Sequence, residues 1–353
     1  MTKKFTLAIF LFSIFSTLHA QTFAGIEIGS KGVKMSIIEV SSIKKSIYDV
    51  KNFWTENVGI AKGISESGKL NEEDMNNAVE IVKKNYNKIL NEYKVDNKNI
   101  FVVASSGVGM ATNTDELIEK VKNAIPKDLD VITSQLESKL MLKGCIPPKL
   151  YLDGLLIDIG GGNTKGGYVE LRNDDKEVFF PLNLNWGTIT LTERINKENA
   201  TDRMSNYVES QRSFRSKLRT EIKEMYKSRA MSQEKKNIYL SGGAAWAFYT
   251  LFYEGEATQN FNEITLDNVL YYNEILLFNF EKYQTLAKTN PGIERVLKTY
   301  SQKHLISANN LLIEMLENIN NIDNKKLYFA KQGQIAWLLS YVADFAKGAK
   351  PMY

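Results

Sequence analysis

Several short stretches place groups that could handle phosphate. In LLIDIGGGNTKGGYVE, residues 155–170, an apolar strand ends in Asp158, followed by Gly160, Gly161, Gly162, Asn163 and Thr164. Glycines lack β-carbons, so their backbone can turn sharply and present N–H groups to an anion. Asn163 and Thr164 can add side-chain donors. Asp158 is ill suited to touch phosphate and better suited to hold a divalent metal or orient a water. The stretch also reads as a plain tight hairpin with a solvated aspartate, and Lys165 as an exposed strand lysine. EIGSKGVK, residues 27–34, repeats the arrangement. Glu27 stands where Asp158 does, Gly29 and Gly32 frame the turn, Ser30 can donate to an oxygen, and Lys31 and Lys34 could neutralise phosphate. In LSGGAAW (240–246), Gly242 and Gly243 end a strand and open a helix. Such a turn can receive a nucleotide, or simply let strand and helix pack closely.

Glu137 stands near the start of the helix expected after LDVITS (129–134). If that helix lines the cleft, its carboxylate can serve as base for a water attacking a terminal phosphoryl group. A first-turn glutamate also simply suits the helix dipole. The only histidines are His19 and His304, and Cys145 is the only cysteine. A histidine–cysteine zinc cluster and an internal disulfide are therefore excluded, and Cys145 reads as a buried small hydrophobe. General-base work falls to Asp or Glu. Arg212, Arg215, Lys217 and Arg219 form either a basic lip or a solvated helix face, and neighbouring Glu221 and Glu224 weaken the basic reading.

The elements that must position these groups come in two matching sets. Strands are expected at 23–29, 33–40 and 47–54, then a long amphipathic helix over 70–93 with Met75, Val79, Val82, Ile89 and Leu90 on its apolar face. A strand at 99–106, a helix around 114–125, a strand at 129–134 and a helix from 135 to 143 follow, Gly144 being a candidate stop. Pro147-Pro148 marks a boundary. Beyond it come strands at 150–160, 164–171 and 176–182, helices over about 187–196 and 200–230, a strand at 237–243, and helices to the end. Strand–glycine turn–strand thus occurs twice, which predicts a duplicated α/β unit with a ligand cleft between the copies.

The chain has 353 residues, 43% of them apolar and 24% charged, an ordinary globular balance. A formal charge of +4 is far from the basic stripes of a nucleic-acid binder, so no nucleic-acid partner is expected. Residues 1–20 have the layout of a secretory signal peptide: Lys3 and Lys4, an apolar run from Phe5 to Leu18, and a cleavable Leu18-His19-Ala20 ending. The run is too short for a comfortable membrane span. The expected product is an exported, periplasmic protein with no stable span; self-association into a homodimer is left open.

Taken together, these segments resemble the exopolyphosphatase and guanosine pentaphosphate phosphohydrolase family, which shares the fold group of sugar kinases, heat-shock chaperone ATPases and actin. DIGGGNTK (158–165) is similar to the family's second phosphate loop, LNWGTITLTE (184–193) to its glycine-to-LTE segment, and LSGGAA (240–245) to its later glycine turn. GISESGKLNEEDM (63–75), VASSGVGMATN (103–113), VITSQLESKLMLKG (131–144) and HLISANNLL (304–312) follow in the family's order. The resemblance implies duplicated actin-like (ribonuclease H-like) domains flanking a cleft, at 21–146 and 147–353, with the last helix returning to the first. It implies Mg²⁺ or another divalent cation held by Asp158 and Glu27, and release of terminal phosphate from polyphosphate or a related compound. Glu27, Gly29, Ser30, Asp158, Gly160, Gly161, Gly162, Asn163 and Thr164 carry over as the phosphate loops, and Glu137 as the catalytic acid or base. The chain departs from the family at Glu27, usually aspartate, at Asn57, usually arginine, at Gly109 and Met110, usually an arginine–acid pair, and at Leu136, where an acid is usual. The competing expectation is a non-catalytic module that binds a phosphorylated ligand or a protein on the same fold.

Overall fold

The computed structural model describes residues 21–42, 47–198 and 203–346. The leader read from residues 1–20 lies outside them. Two mixed sheets organise the rest. The first comprises β1 (Gln21–Gly29), β2 (Gly32–Ser42), β3 (Ile47–Asn57), β4 (Ile100–Ala104) and β5 (Leu129–Val131), in the order β3-β2-β1-β4-β5. The first three strands form an antiparallel meander, and β4 and β5 run parallel to β1. A parallel neighbour needs a crossover. The short α1 (Ile64–Ser67) and the long α2 (Glu72–Asn91) supply it before β4, and α3 (Thr114–Ala124) before β5. Helix α2 buries Met75, Val79, Val82 and Ile89, and the Asn71 side chain caps it by accepting from the Glu73 and Asp74 amides.

After α4 (Ser134–Cys145) the pattern restarts with β6 (Gly154–Ile159), β7 (Thr164–Leu171) and β8 (Glu177–Leu184). Then come α5 (Thr188–Glu198), α6 (Met204–Lys227), β9 (Asn237–Ser241), α7 (Gly242–Phe252) and β10 (Phe261–Ile264). Helices α8 (Leu266–Phe278), α9 (Glu281–Leu286), α10 (Pro291–Thr299) and α11 (Gln302–Glu317) precede β11 (Lys326–Ala330) and α12 (Ala336–Ala346). The second sheet runs β10-β11-β9-β6-β7-β8. Strands β6, β7, β8, β9 and β11 therefore repeat β1 to β5 in order and direction, with β10 an added antiparallel edge. This is the duplicated α/β fold expected from the sequence.

Two expectations need correction. The fourth helix does not stop before Gly144 but runs through it to Cys145; the glycine serves packing instead, since a β-carbon there would lie 2.6 Å from that of Ala336 on α12. The carboxyl-terminal part is not purely helical: β10 and β11 lie within it.

Three apolar clusters hold the layers. One packs α2 and α3 on the first sheet, and one packs α5 to α11 on the second. The third joins the halves: Ile38, Val103, Leu136, Leu156, Tyr239 and Trp337 share it. It forms because α4 lies on β7 and β8, α12 lies on β1 and β2, and the two helices pack on each other. No helix among the described residues is long and apolar enough to cross a membrane.

Candidate phosphate cleft

The hairpin register explains the site. Antiparallel pairing puts Glu27 of β1 directly opposite Lys34 of β2, and Asp158 of β6 directly opposite Lys165 of β7. Facing residues in such a ladder have their side chains close enough to pair. Lys34 Nζ donates to Glu27 Oε1 at 3.0 Å and to Oε2 at 3.2 Å. Lys165 Nζ lies 2.9 Å from Asp158 Oδ2. Glu27, Asp158 and Lys165 are all buried. Lys165 is thus not the exposed strand lysine read from the sequence. With α4 covering β7, both of that strand's faces are enclosed along its first six residues.

Helix α4 brings in the third carboxylate. Its cap, Thr133, accepts from the Leu136 amide and fixes the first turn. Leu136 turns into the joining core, while Glu137, one residue on, turns to the cleft and is 2% exposed. Glu137 Oε1 sits 2.9 Å from Lys165 Nζ, and Oε2 accepts from the Ser106 amide at 2.8 Å. Lys165 therefore bridges two buried carboxylates. Burial works against its ammonium, but Asp158 and Glu137 outweigh this and hold its pKa above the ordinary value. Asp158 Oδ1 accepts from the Ser241 hydroxyl at 2.8 Å. Burial pushes the Glu27 carboxyl up to about 7, with Lys34 pulling it down and Glu137 pushing it up again.

The glycine turns face each other. A β-carbon on Gly161 would lie 2.8 Å from that of Ser30, and one on Gly162 would lie 3.1 Å from Gly107 Cα. None of Gly29, Gly160, Gly161 and Gly162 has a left-handed backbone. Gly161 and Gly162 serve close approach between the halves rather than an unusual φ, whereas Gly29 and Gly160 are crowded by atoms of their own hairpins. Gly242 is the exception, with φ of 85°, and a β-carbon there would strike Asp158 Oδ1. The cleft between the turns is a cavity of about 410 Å³. Glu27, Glu137 and Asp158 line it, as do Gly29, Ser30 and Lys31 of the first turn and Gly160, Gly161 and Asn163 of the second. Two predicted loop residues do not line it. Thr164 donates its hydroxyl to the Trp186 carbonyl at 2.7 Å, and Gly162 lies against Gly107. Within the second turn, the Gly160 N–H is used to close the turn on the Asn163 carbonyl. Asn163 Nδ2 donates to Ser106 Oγ at 3.2 Å, and its buried Oδ1 has no partner among the described residues. A bound anion would draw the amide NH₂ toward itself and leave Oδ1 to accept from the Ser106 hydroxyl.

On the other wall the sequence offered only the glycine turn, not the side chains beside it. Gly242 and Gly243 line the cavity with Trp246, Arg295 and Tyr300. Gly243 leaves room for the Tyr300 hydroxyl, which a β-carbon would approach to 1.9 Å. The Arg295 guanidinium lies 5.3 Å from the Trp246 ring, and Lys31 Nζ lies 5.5 Å from the Tyr300 ring. Burial lowers the Lys31 pKa to about 8, with Glu193 acting the other way. Asn57, where an arginine was expected, donates to Thr299 Oγ1 at 3.5 Å. Arg295 on α10 lines this cleft, its Nη2 donating to Glu256 Oε1 at 2.8 Å. Arg215 and Arg219, two of the four residues of the suggested basic lip, are partly exposed but paired with Glu314 and Glu317 of α11. Burial pushes the Cys145 thiol up, which suits its place in the joining core.

Asp158 and Glu27, the expected metal ligands, do not fit a divalent ion as they stand. Each already has an ammonium group across the ladder, and Asp158 has the Ser241 hydroxyl on its remaining oxygen. Among the described residues no group of three or more His, Cys, Asp or Glu side chains could hold a metal.

The family model described as the Ppx/GppA phosphatase family matches residues 40–272, well over half of the chain. A bifunctional 3-dehydroquinate synthase/phosphatase of Fusobacterium nucleatum is 28% identical over 194 residues, which cover 54% of this chain and 28% of that protein. A putative exopolyphosphatase of Haemophilus influenzae is 27% identical over 148 residues, 42% of this chain and 44% of that one. The matches thus span less than half of either relative. The crystal structure of an exopolyphosphatase from Cytophaga hutchinsonii superposes with a TM-score of 0.70 at 16% identity, covering 94% of this chain and all of that one. That likeness establishes the fold.

Proposed function

The chain belongs to the Ppx/GppA phosphatase family, and from that premise we propose that its cleft takes the end of a phosphoanhydride chain, such as polyphosphate, and releases the terminal phosphate. The observation that carries this reading is the pair of facing turns, Ser30 against Gly161, beside three buried carboxylates in one cavity. Ser30, the Asn163 amide, Lys31 and Arg295 would hold phosphate oxygens. Both Glu137 oxygens have partners, yet each keeps a second lone pair, so Glu137 can still accept a hydrogen bond from a water. It would orient that water toward the terminal phosphorus. The water oxygen–phosphorus bond forms as the bridging phosphorus–oxygen bond breaks, the water proton passes to a carboxylate, and the shortened chain leaves with its oxygen protonated from the site or solvent. Glu27, titrating near neutrality, is suited to exchange that proton.

Orthophosphate release from polyphosphate by the purified protein tests the proposal. Glu137→Gln should cut turnover by about 100-fold or more, the usual scale for losing a general base, with affinity changed far less. A second reading, binding without turnover, draws on the grip of Lys165 on both Glu137 and Asp158. Tight polyphosphate binding with no release in either protein would favour it. We place the activity outside the cytoplasm on the strength of the leader pattern in residues 1–20; a mature amino terminus at Gln21 in the periplasmic fraction is the expected finding, and retention of Met1 would overturn it.

A further inference from the structure

Both phosphate turns carry the same device. EIGSKGVK and DIGGGNTK each begin with an acid and end, seven residues later, with a lysine, and the two hairpins pair those ends. In the second copy the lysine is 5% exposed and its Nζ stands 2.9 Å from one carboxylate oxygen of each of two acids. Those acids come from different elements, β6 and α4, and the Nζ also lies 3.3 Å from where a Gly160 β-carbon would be. A cation bound by two carboxylates beside a phosphate turn is the position a divalent ion takes in a metal-dependent phosphoryl site. Here a side chain supplies it. A divalent ion would have to bind the same oxygens about 2 Å away while a fixed positive charge sat on them. The carboxylates already have cations enough without one: three of them, Glu27, Glu137 and Asp158, face four basic side chains, Lys31, Lys34, Lys165 and Arg295, around the cavity.

We propose that Lys165 is the resident cation of this cleft, so that the site excludes divalent metal and takes a phosphate chain as the free anion. Lys165 clamps Glu137 and Asp158 together and offers its remaining N–H to a phosphate oxygen beside Gly160. The metal part of the inference is independent of the proposed function, whereas the anion part rests on it. A consequence of sign follows. Mg²⁺ complexes polyphosphate in solution, so added Mg²⁺ should weaken binding to this protein, the reverse of its effect on a metal-requiring site.

The purified full chain tests both parts. Mn²⁺ titration followed by electron paramagnetic resonance should show no ion held at the cleft in the wild type. Lys165→Gln, which removes the charge at similar length, should take up one Mn²⁺ with an affinity raised by about 10- to 100-fold, the scale on which groups touching metal ligands act. Adding Asp158→Asn should abolish that uptake, and Lys165→Arg should stay without Mn²⁺. Calorimetry with inorganic tripolyphosphate should give binding in excess EDTA that weakens when Mg²⁺ replaces the chelator. One Mn²⁺ per wild-type chain, lost in Asp158→Asn, would overturn the proposal, as would tripolyphosphate binding that requires metal. The wild-type titration decides even if Lys165→Gln fails to fold. Absence of tripolyphosphate binding under every condition would sink the phosphate reading while leaving the Mn²⁺ result to judge Lys165.

Discussion

At the scale of single residues, burial sets the working range of the cleft. Lys31 is charged only below about 8, because the folded protein disfavours its ammonium more than Glu193 restores it. A group with a depressed lysine pKa loses its positive charge as pH rises through that value. Tripolyphosphate affinity should therefore fall between pH 7 and 9.5, and Lys31→Met should flatten the profile while lowering its neutral end by about tenfold, near 1.4 kcal/mol, for one charge-assisted contact. Calorimetry across that range reads it, and a profile that bends only near pH 10.5 would count against the assignment. Glu27, Asp158 and the glycines were legible from type and spacing. The lysines that close each repeat were visible too, as the last letters of EIGSKGVK and DIGGGNTK. What the letters did not convey was that Lys165 is enclosed. Alternation along a strand reports one covered face, and the second face of β7 is covered by α4, whose placement depends on contacts far along the chain. Ser106, Ser241, Trp246, Arg295 and Tyr300 gave no such signal, since each reaches the cleft only through tertiary packing.

At the scale of elements, the glycine turns act as contact surfaces. Alanine at Gly161 would meet no backbone strain, yet its β-carbon would stand 2.8 Å from Ser30 Cβ and 3.0 Å from Ile189 Cδ1. Gly161→Ala should cost about 1–3 kcal/mol by overpacking and also weaken tripolyphosphate binding. Urea unfolding monitored by circular dichroism measures the first effect; an unchanged midpoint would mean that the two turns separate easily. Helix α5 fastens the same region. Ile189 belongs to the first half's apolar cluster, and Glu193 accepts from the Gly63 amide at 3.0 Å. The segment LNWGTITLTE thus works as a bridge from the second half to the first. Long periodic helices such as α2 were readable to within two residues at each end. The short β10 and β11, of four and five residues, were not, because neither is long enough to show alternation against its helical surroundings.

At the scale of the whole molecule, the halves are fastened by exchange. The first half sends α4 onto the second sheet, and the carboxyl terminus sends α12 back onto the first. Trp337, 1% exposed, sits in the cluster that both helices share. Trp337→Ala should cost about 3–5 kcal/mol and lower one cooperative calorimetric transition, since the lost contacts belong to both sheets. Two separated transitions would show the halves to be independent. The duplication itself was visible in the repeated strand–glycine–strand order, whereas the strength of the exchange was not, because it depends on Gly144 meeting Ala336, residues nearly two hundred positions apart. That crossing also bears on how the chain comes into being. Strands β1 and β2 are made well before the helix that covers one of their faces, Ala336–Ala346, which lies far along the chain. The amino-terminal sheet can therefore close only after that helix has been added, and until then the apolar side chains of β1 and β2 that face it stay uncovered.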